Sequence, residues 1–339
     1  MITLYILHAG ITHPSPYFYN FCKELELHHN YKYIIDPNLP DFSPDDKEII
    51  YFNRLKRFYD SNNMKTAKEF LNQIDNLKSN GWKVVWTLHN FFPIDRSITT
   101  VDEYVTKEFM KKCDLVFTLS NCLKNNIKKH YGINAINHGM GFNLLDNDFN
   151  NNLVQNFKTN KFVFTFIGNI YEYKMLDYVI ENFNKLENCI LIIAGKEPKN
   201  AHVNIEKLVE SNNNNIKFYD GFIGDDDWEK LSTITDCFIN IYDLNFPAFK
   251  YGFFPSNFIN IYNTGIQCIS PRCMEIKEMM DNSQMIYYSF TDKNGLLNAM
   301  KYAMSRKYVK LNNDVNKKYN WSKVVSCFTK NCERLFYED

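Results

Sequence analysis

Residues 161–196, KFVFTFIGNIYEYKMLDYVIENFNKLENCILIIAGK, constrain the fold more than any other stretch. Residues 161–167 form a β-branched and aromatic run too short for a helix, and Gly168-Asn169 breaks it at a turn. Met175–Leu186 then carries Leu176, Val179, Ile180, Phe183 and Leu186 at helical spacing and is predicted as a helix, and Cys189–Ala194 returns as a second apolar run of strand length. The pattern predicts a βαβ unit with parallel strands and a right-handed crossover. Such sheets bind ligands at their carboxyl edge, where strand hands over to helix. Lys174 stands there, six positions past Gly168, where an ammonium and the free amides of a helix start together suit a phosphate. Taken alone, this unit also fits a solvated lysine in an ordinary βα loop.

The same grammar runs through the rest of the chain. In the first half, strands are predicted over 2–7, 31–35, 48–52, 83–88, 115–119 and 135–138, and helices over 17–27, 64–77, 101–112 and 121–131. Residues 143–160 are polar and asparagine-rich, which suits a segment between domains. After 161–196 come strands over 216–219, 237–242, 267–270 and 284–288, and helices over 225–234, 257–263, 296–305 and 321–335, the helix at 257 with Ser256 as its N-cap. The expected fold is α/β, two Rossmann-like doubly wound domains facing across a cleft: 1–157, 158–315, and a C-terminal helix in 316–339 that packs back on the first. A chain of 339 residues is long enough for two such cores.

Composition narrows the function classes. Lys plus Arg and Asp plus Glu balance at 39 each, so no global field argues for nucleic acid as a partner. The nine cysteines fall mostly within apolar runs and never as C-x-x-C, which suits reduced thiols in a cytosol. The start MITLYILHAG lacks a basic n-region and a small-residue cleavage site and reads as a first strand, and no apolar run is long enough to span a bilayer. The expected location is cytoplasmic. Lys107, Lys111, Lys112, Lys124, Lys128 and Lys129 cluster on two consecutive helices with only Glu108 and Asp114 against them, a face that suits the inner surface of an anionic membrane or plain solvent.

In order and spacing, several stretches resemble a GT-B glycosyltransferase, most closely the retaining family 4, glycosyl transferases group 1. LKSNGWKVVWTLHN resembles the family strand ending in T-x-H, and CDLVFTLS followed by INHGM resembles its serine and N-G stretches. FTFIGNIYEYK resembles the phosphate turn G-R-x-x-x-x-K, and TDCFINIY with NTGIQCISP resembles the A-D and C-G-x-P-V-I stretches. There are departures. The arginine after the glycine is Asn169, the paired glutamates fall on Gly252 and Asn260, and the P-S-K of more distant relatives reads Pro255, Ser256, Asn257.

The resemblance implies an enzyme that moves a sugar from a UDP- or GDP-sugar to a glycan or lipid-linked acceptor, with retention, without cofactor or metal. It places His89 beside the transferred sugar, as a hydrogen-bond donor or electrostatic aid, and Gly168, Asn169, Lys174, Ser256 and Asn257 at the donor diphosphate. Asn260, Phe222 and Ile223 fall at the ribose and base, with Ser120, His138, Gly139 and Lys250 as supporting residues. A core histidine is the competing reading of His89, caps and tight turns of Ser120 and His138-Gly139, and a surface lysine of Lys250. Two alternatives remain open: a catalytically degenerate partner, from Asn169, Gly252 and Asn260, and an inverting transferase using Asp95 or Glu103 as base.

Overall fold

The computed structural model describes residues 1–8, 16–94, 96–142, 159–197, 215–221, 223, 225–280 and 282–337. The chain divides into two compact units. One comprises Met1–Asn143, Pro247–Phe254 and Asn316–Asp339, and the other Leu144–Phe246 and Pro255–Val315. The aromatic loop 247–254, which the sequence pattern leaves inside the second half, therefore belongs to the first unit.

The first unit holds strands β1 (Ile2–Leu7), β2 (Tyr31–Asp36), β3 (Glu48–Phe52), β4 (Lys83–Leu88), β5 (Leu115–Thr118) and β6 (Ile136–Asn137). They form one sheet in the order β2-β1-β3-β4-β5-β6, parallel at every pairing. Helices α1 (Pro16–Leu25), α2 (Met64–Ser79), α3 (Thr100–Lys112) and α4 (Asn121–Tyr131) cover it. The central strands β3 and β4 are buried on both faces, which is why they read as continuous apolar runs and not as alternating ones. Between α2, α3 and the sheet, Phe109 lies 4.8 Å from the Phe52 ring and 5.6 Å from that of Phe70. Each such ring stabilises the fold by about 1.5–3 kcal/mol through area removed from water.

The second unit holds β7 (Phe162–Ile167), β8 (Cys189–Ala194), β9 (Ile216–Tyr219), β10 (Cys237–Ile239), β11 (Gln267–Pro271) and β12 (Met285–Tyr288). Their order is β12-β11-β10-β7-β8-β9, again all parallel. Helices α5 (Leu176–Phe183), α6 (Asp225–Ile234), α7 (Asn257–Thr264), α8 (Met274–Met279) and α9 (Gly295–Ser305) accompany them. Phe164, Phe166, Leu191 and Ile193 form one core with Val179, Ile180 and Phe183 of α5 and Leu296 and Met300 of α9. Two helices then close the chain, α10 (Val315–Lys318) and α11 (Trp321–Tyr337). Within the first unit, Phe328 of α11 lies 5.0 Å from the rings of Phe21, Tyr51 and Phe117.

These orders fix where a site forms. In the second unit the strand order reverses between β7 and β10, and in the first between β1 and β3. Beyond the carboxyl ends of such strand pairs the flanking connections run to opposite faces and leave a crevice.

Candidate functional site

At the second unit's reversal, β7 ends at Ile167 and gives way to Gly168, whose φ of +110° suits a residue without Cβ. The next strand, β8, leaves the sheet at Gly195, where any Cβ would collide with the Gly168 carbonyl. The start of α7 docks on the same turn. Asn257 Nδ2 donates to the Ile167 carbonyl at 3.2 Å and lies 2.5 Å from where a Gly168 Cβ would stand. The amides of Phe258 and Ile259 turn back to the carbonyls of Pro255 and Ser256. Those of Ser256 and Asn257 donate to nothing among the described residues. Ser256 occupies the N-cap position, but its backbone is helical and its hydroxyl caps nothing, so the expected cap is corrected.

Lys174 closes this arrangement. It ends a short 3-10 turn, Glu172–Lys174, followed by Met175 at φ +50°, a left-handed conformation unusual for a side chain of that kind. The predicted helix therefore begins at Leu176 and not at Met175. Lys174 is 4% exposed, and its Nζ donates to Asn240 Oδ1 at 2.9 Å and sits 3.7 Å above the Tyr242 ring. Asn240 follows β10 directly, so the lysine bridges the two strand ends that flank the reversal. No carboxylate bonds the ammonium among the described residues. Burial pushes its pKa down to about 7, and only the field of the Cys268 thiol opposes that. A cation held on a neutral amide and a ring face, with open amides nearby, is a site that an anion completes.

The other predicted donor residues are less engaged. Asn169 is exposed, Asn260 is half-buried one turn into α7, and Ile223 is buried beyond β9, two strands from β7. Phe222 lies outside the described residues.

In the first unit, Ser120 is buried and its Oγ accepts from the Leu123 amide at 3.2 Å, an N-cap for α4. His138 ends a buried chain: Tyr17 OH lies 3.1 Å from Tyr51 OH, Tyr51 OH 2.7 Å from Thr87 Oγ1, and Thr87 Oγ1 3.2 Å from His138 Nε2. Its Nδ1 donates to the Gly139 carbonyl at 2.7 Å, so Nε2 is the acceptor. Burial pushes the ring's pKa down to about 4, and it is neutral. His89, directly after β4, differs. Its ring stands edge-on to Tyr17 at 4.6 Å, and Nε2 is shut off from solvent with no hydrogen-bond partner. Burial first, then the charge of Arg54 and the neighbouring His138 ring, which disfavours a second proton beside it, push it down to about 3. At neutral pH it offers a hydrogen bond and not the positive charge of an electrostatic aid. Lys250 is exposed and donates to Glu103 Oε1 at 3.0 Å, which ties up one of the two carboxylates considered as a base; Asp95 lies outside the described residues. Among the described residues, no three metal-ligating side chains come together and no helix is long and apolar enough to cross a membrane.

Residues 148–287, most of the second unit, match the family model described as glycosyl transferases group 1. The chain carries a glycosyl transferases group 1 domain. It is a glycosyltransferase. Solved structures match over the whole chain and show the GT-B fold. Sucrose-phosphate synthase from Thermosynechococcus elongatus aligns with a TM-score of 0.74 at 12% identity, covering 100% of both chains. Anabaena HepE, in complex with UDP and glucose, aligns at 0.68 and 12%, covering 98% of this chain and 99% of that one. A glycosyltransferase from Rickettsia africae aligns at 0.67 and 13%, covering 100% and 99%. No curated protein sequence matches significantly.

Two residues of this arrangement escape sequence reasoning. Asn240 and Tyr242 hold Lys174, yet they sit in the apolar run CFINIY and read as strand interior. The strand stops at Ile239 and not at Tyr242. An asparagine inside an apolar run was the one available signal, because a buried amide needs a partner.

Proposed function

We propose that this glycosyltransferase takes its sugar from a nucleotide-sugar donor, with the diphosphate held at Lys174, the Gly168 turn and the amides of Ser256 and Asn257. The carrying observation is the buried Lys174 ammonium bridging the strand ends at the reversal without an anionic partner. Charge that develops on the departing diphosphate meets a fixed cation and helix-start amides in a place poor in water, where they act more strongly than in bulk. In this reading no metal is required, the anomeric configuration is retained, and His89 contributes a neutral hydrogen bond near the transferred sugar. The HepE structure, with UDP and glucose, supports UDP as the first nucleotide to try.

In the same reading the acceptor is a glycan or a lipid-linked molecule. Lys107, Lys124, Lys128 and Lys129 are exposed and suit contact with anionic membrane. Lys111 is paired with Glu108 at 2.8 Å and Lys112 with Asp75 at 2.6 Å, and Asp114 is taken by Lys78. The basic face is thus four lysines strong rather than the six that the sequence offers.

The test is calorimetric titration of UDP, GDP, CMP and their sugar conjugates, with Mg²⁺ or EDTA, on the chain and on Lys174→Ala. We expect a nucleoside diphosphate to bind in EDTA, and Lys174→Ala to weaken it by about 1.5–3 kcal/mol, the worth of a charged hydrogen bond. Tight binding that survives the substitution defeats the assignment of Lys174. Failure of every nucleotide to bind favours the degenerate-partner reading, which Asn169, Gly252 and Asn260 motivate.

A further inference from the structure

The second unit carries a groove at the far edge of its sheet. β12 is the outermost strand, three places from β7 in the sheet order, and α9 runs back beside it. With residues 306–311 they border a groove of about 980 Å³, large for a small-molecule site. Its two ends differ. At the amino end of β12, Arg306 Nη2 donates to the Ser283 carbonyl at 2.6 Å. The guanidinium lies 4.5 Å over the Tyr308 ring and 5.7 Å from that of Tyr302, and Lys307 lines the groove next to it. Past the carboxyl end of β12 stands Asp292, whose Oδ1 accepts from the Asn294 amide at 3.0 Å. Asn298 and Tyr302, one turn apart on α9, line the stretch between. From Gly295 to Arg306 the helix covers roughly 16 Å at 1.5 Å per residue, a span for a short polymer and not for a single ring.

Charge gathers here in a chain that has none overall. Between 283 and 311 five cations, Lys293, Lys301, Arg306, Lys307 and Lys310, face Asp292 alone. None of the four lysines has a carboxylate partner among the described residues. Such an imbalance suits an anionic partner. Tyr302 is 55% exposed, so its ring offers a flat apolar platform beside those cations. Its hydroxyl and the Asn298 amide bond to nothing among the described residues.

We propose that this groove binds an acidic glycan, a chain of sugar rings carrying carboxylates, at a subsite separate from the donor turn. A ring stacks on Tyr302, its carboxylate meets Arg306 and Lys307, and hydroxyls reach Asn298 and Asp292. Arg306 already gives one N–H to Ser283, and the rest of its fork with the Lys307 ammonium suits one carboxylate at a time. Asp292 decides against other polyanions. A carboxylate there accepts from hydroxyls, which every sugar ring has, but repels a phosphate backbone and the side chains of an acidic peptide, which offer it no donor. The groove is argued without the donor reading and stands whether or not Lys174 holds a diphosphate.

The experiment is calorimetric titration of the full chain, at low and high salt, with trigalacturonate, maltotriose, a triglutamate peptide and an oligothymidylate. UDP binding is measured on the same samples. We expect trigalacturonate to bind more tightly than the other three and without competing with UDP. Tyr302→Ala should weaken it by roughly fivefold to tenfold in either salt, and Lys307→Ala by up to about fivefold at low salt only, both leaving any UDP affinity unchanged. Both side chains are exposed, so neither variant endangers the fold. Equal binding of maltotriose shows that the cations are idle, and equal binding of the peptide or the oligothymidylate shows a surface that reads charge alone; either overturns the proposal. So do absence of trigalacturonate binding, indifference to Tyr302→Ala, or displacement by UDP. If UDP binds and trigalacturonate does not, this inference fails alone; if trigalacturonate binds and UDP does not, only the donor reading falls.

Discussion

The two units follow one strand–helix grammar yet treat the polar residues at their carboxyl edges in opposite ways. In the second unit the cation is already held: Lys174 rests on Asn240 and Tyr242, and what is missing is only negative charge. In the first unit the hydrogen bonds are divided unevenly. His138 is spent on the Tyr17–Tyr51–Thr87 chain, while His89 and Arg57, at the same edge, have polar atoms bonded to nothing. Position after a strand therefore says little about role. What separates a structural residue from a binding residue is whether its hydrogen bonds are complete without a ligand.

The strongest way to break the comparison is to disturb the second unit's turn and leave the first unit alone. Gly195→Ala places a Cβ against the Gly168 carbonyl, which is backbone and has no rotamer to yield. We expect a loss of about 3 kcal/mol of stability, at the upper end for overpacking, together with loss of nucleotide binding. Chemical denaturation of the variant checks it. A loss within experimental error would mean that β7 and β8 are free to separate and that the turn is not rigid.

A smaller effect sharpens the claim that Lys174 waits for an anion. Its folded pKa is about 7 against an ordinary 10.5, so between these values the unfolded chain holds more protons at this site than the folded one. Its contribution to stability consequently rises with pH across that window and is flat below it. A bound diphosphate favours the ammonium, so binding above pH 7 must take up a proton. Affinity should fall by up to about tenfold per pH unit there, and calorimetry in buffers of different ionisation enthalpy should show uptake approaching one proton. Lys174→Met should abolish the uptake without loss of stability at neutral pH, since it exchanges a buried charge for an apolar chain of similar length.

Most of the scaffold was legible because buried parallel strands leave unbroken apolar runs closed by glycine or asparagine. Lys83–Leu88, Asn121–Tyr131, Cys189–Ala194 and Asp225–Ile234 have the ends that the pattern predicts. Short elements without a full period were not legible: the 3-10 turn before α5, the six residues of α8 and the four of α10. Nor was the membership of 247–254, which depends on contacts distant in sequence, Tyr251 against His130 at 4.4 Å and against Phe91 and Phe92 at 5.7 Å. At the site, the sequence pointed to Lys174 but not to Asn240 and Tyr242, because a side chain's partners follow from strand order and not from spacing.

The smallest expected effect compares two serines that occupy the same formal position in the two units. Ser120 and Ser256 both precede a helix that follows a strand edge, and both look like N-caps in sequence. Ser120 has extended backbone, φ −150° and ψ 159°, and its hydroxyl accepts from the Leu123 amide. Ser256 has helical backbone, φ −55° and ψ −30°, and its hydroxyl is not used for capping. Ser120→Ala should therefore cost about 1 kcal/mol, whereas Ser256→Ala should stay within about 0.5 kcal/mol in thermal or denaturant unfolding. Ligand should reverse the ranking. With a nucleoside diphosphate bound, Ser256→Ala loses a hydroxyl beside two open amides and gives up part of the ligand-induced rise in Tm, while Ser120→Ala keeps all of it. Equal costs in the free protein would mean that Ser256 caps α7 after all, and would remove the open helix start from the donor site.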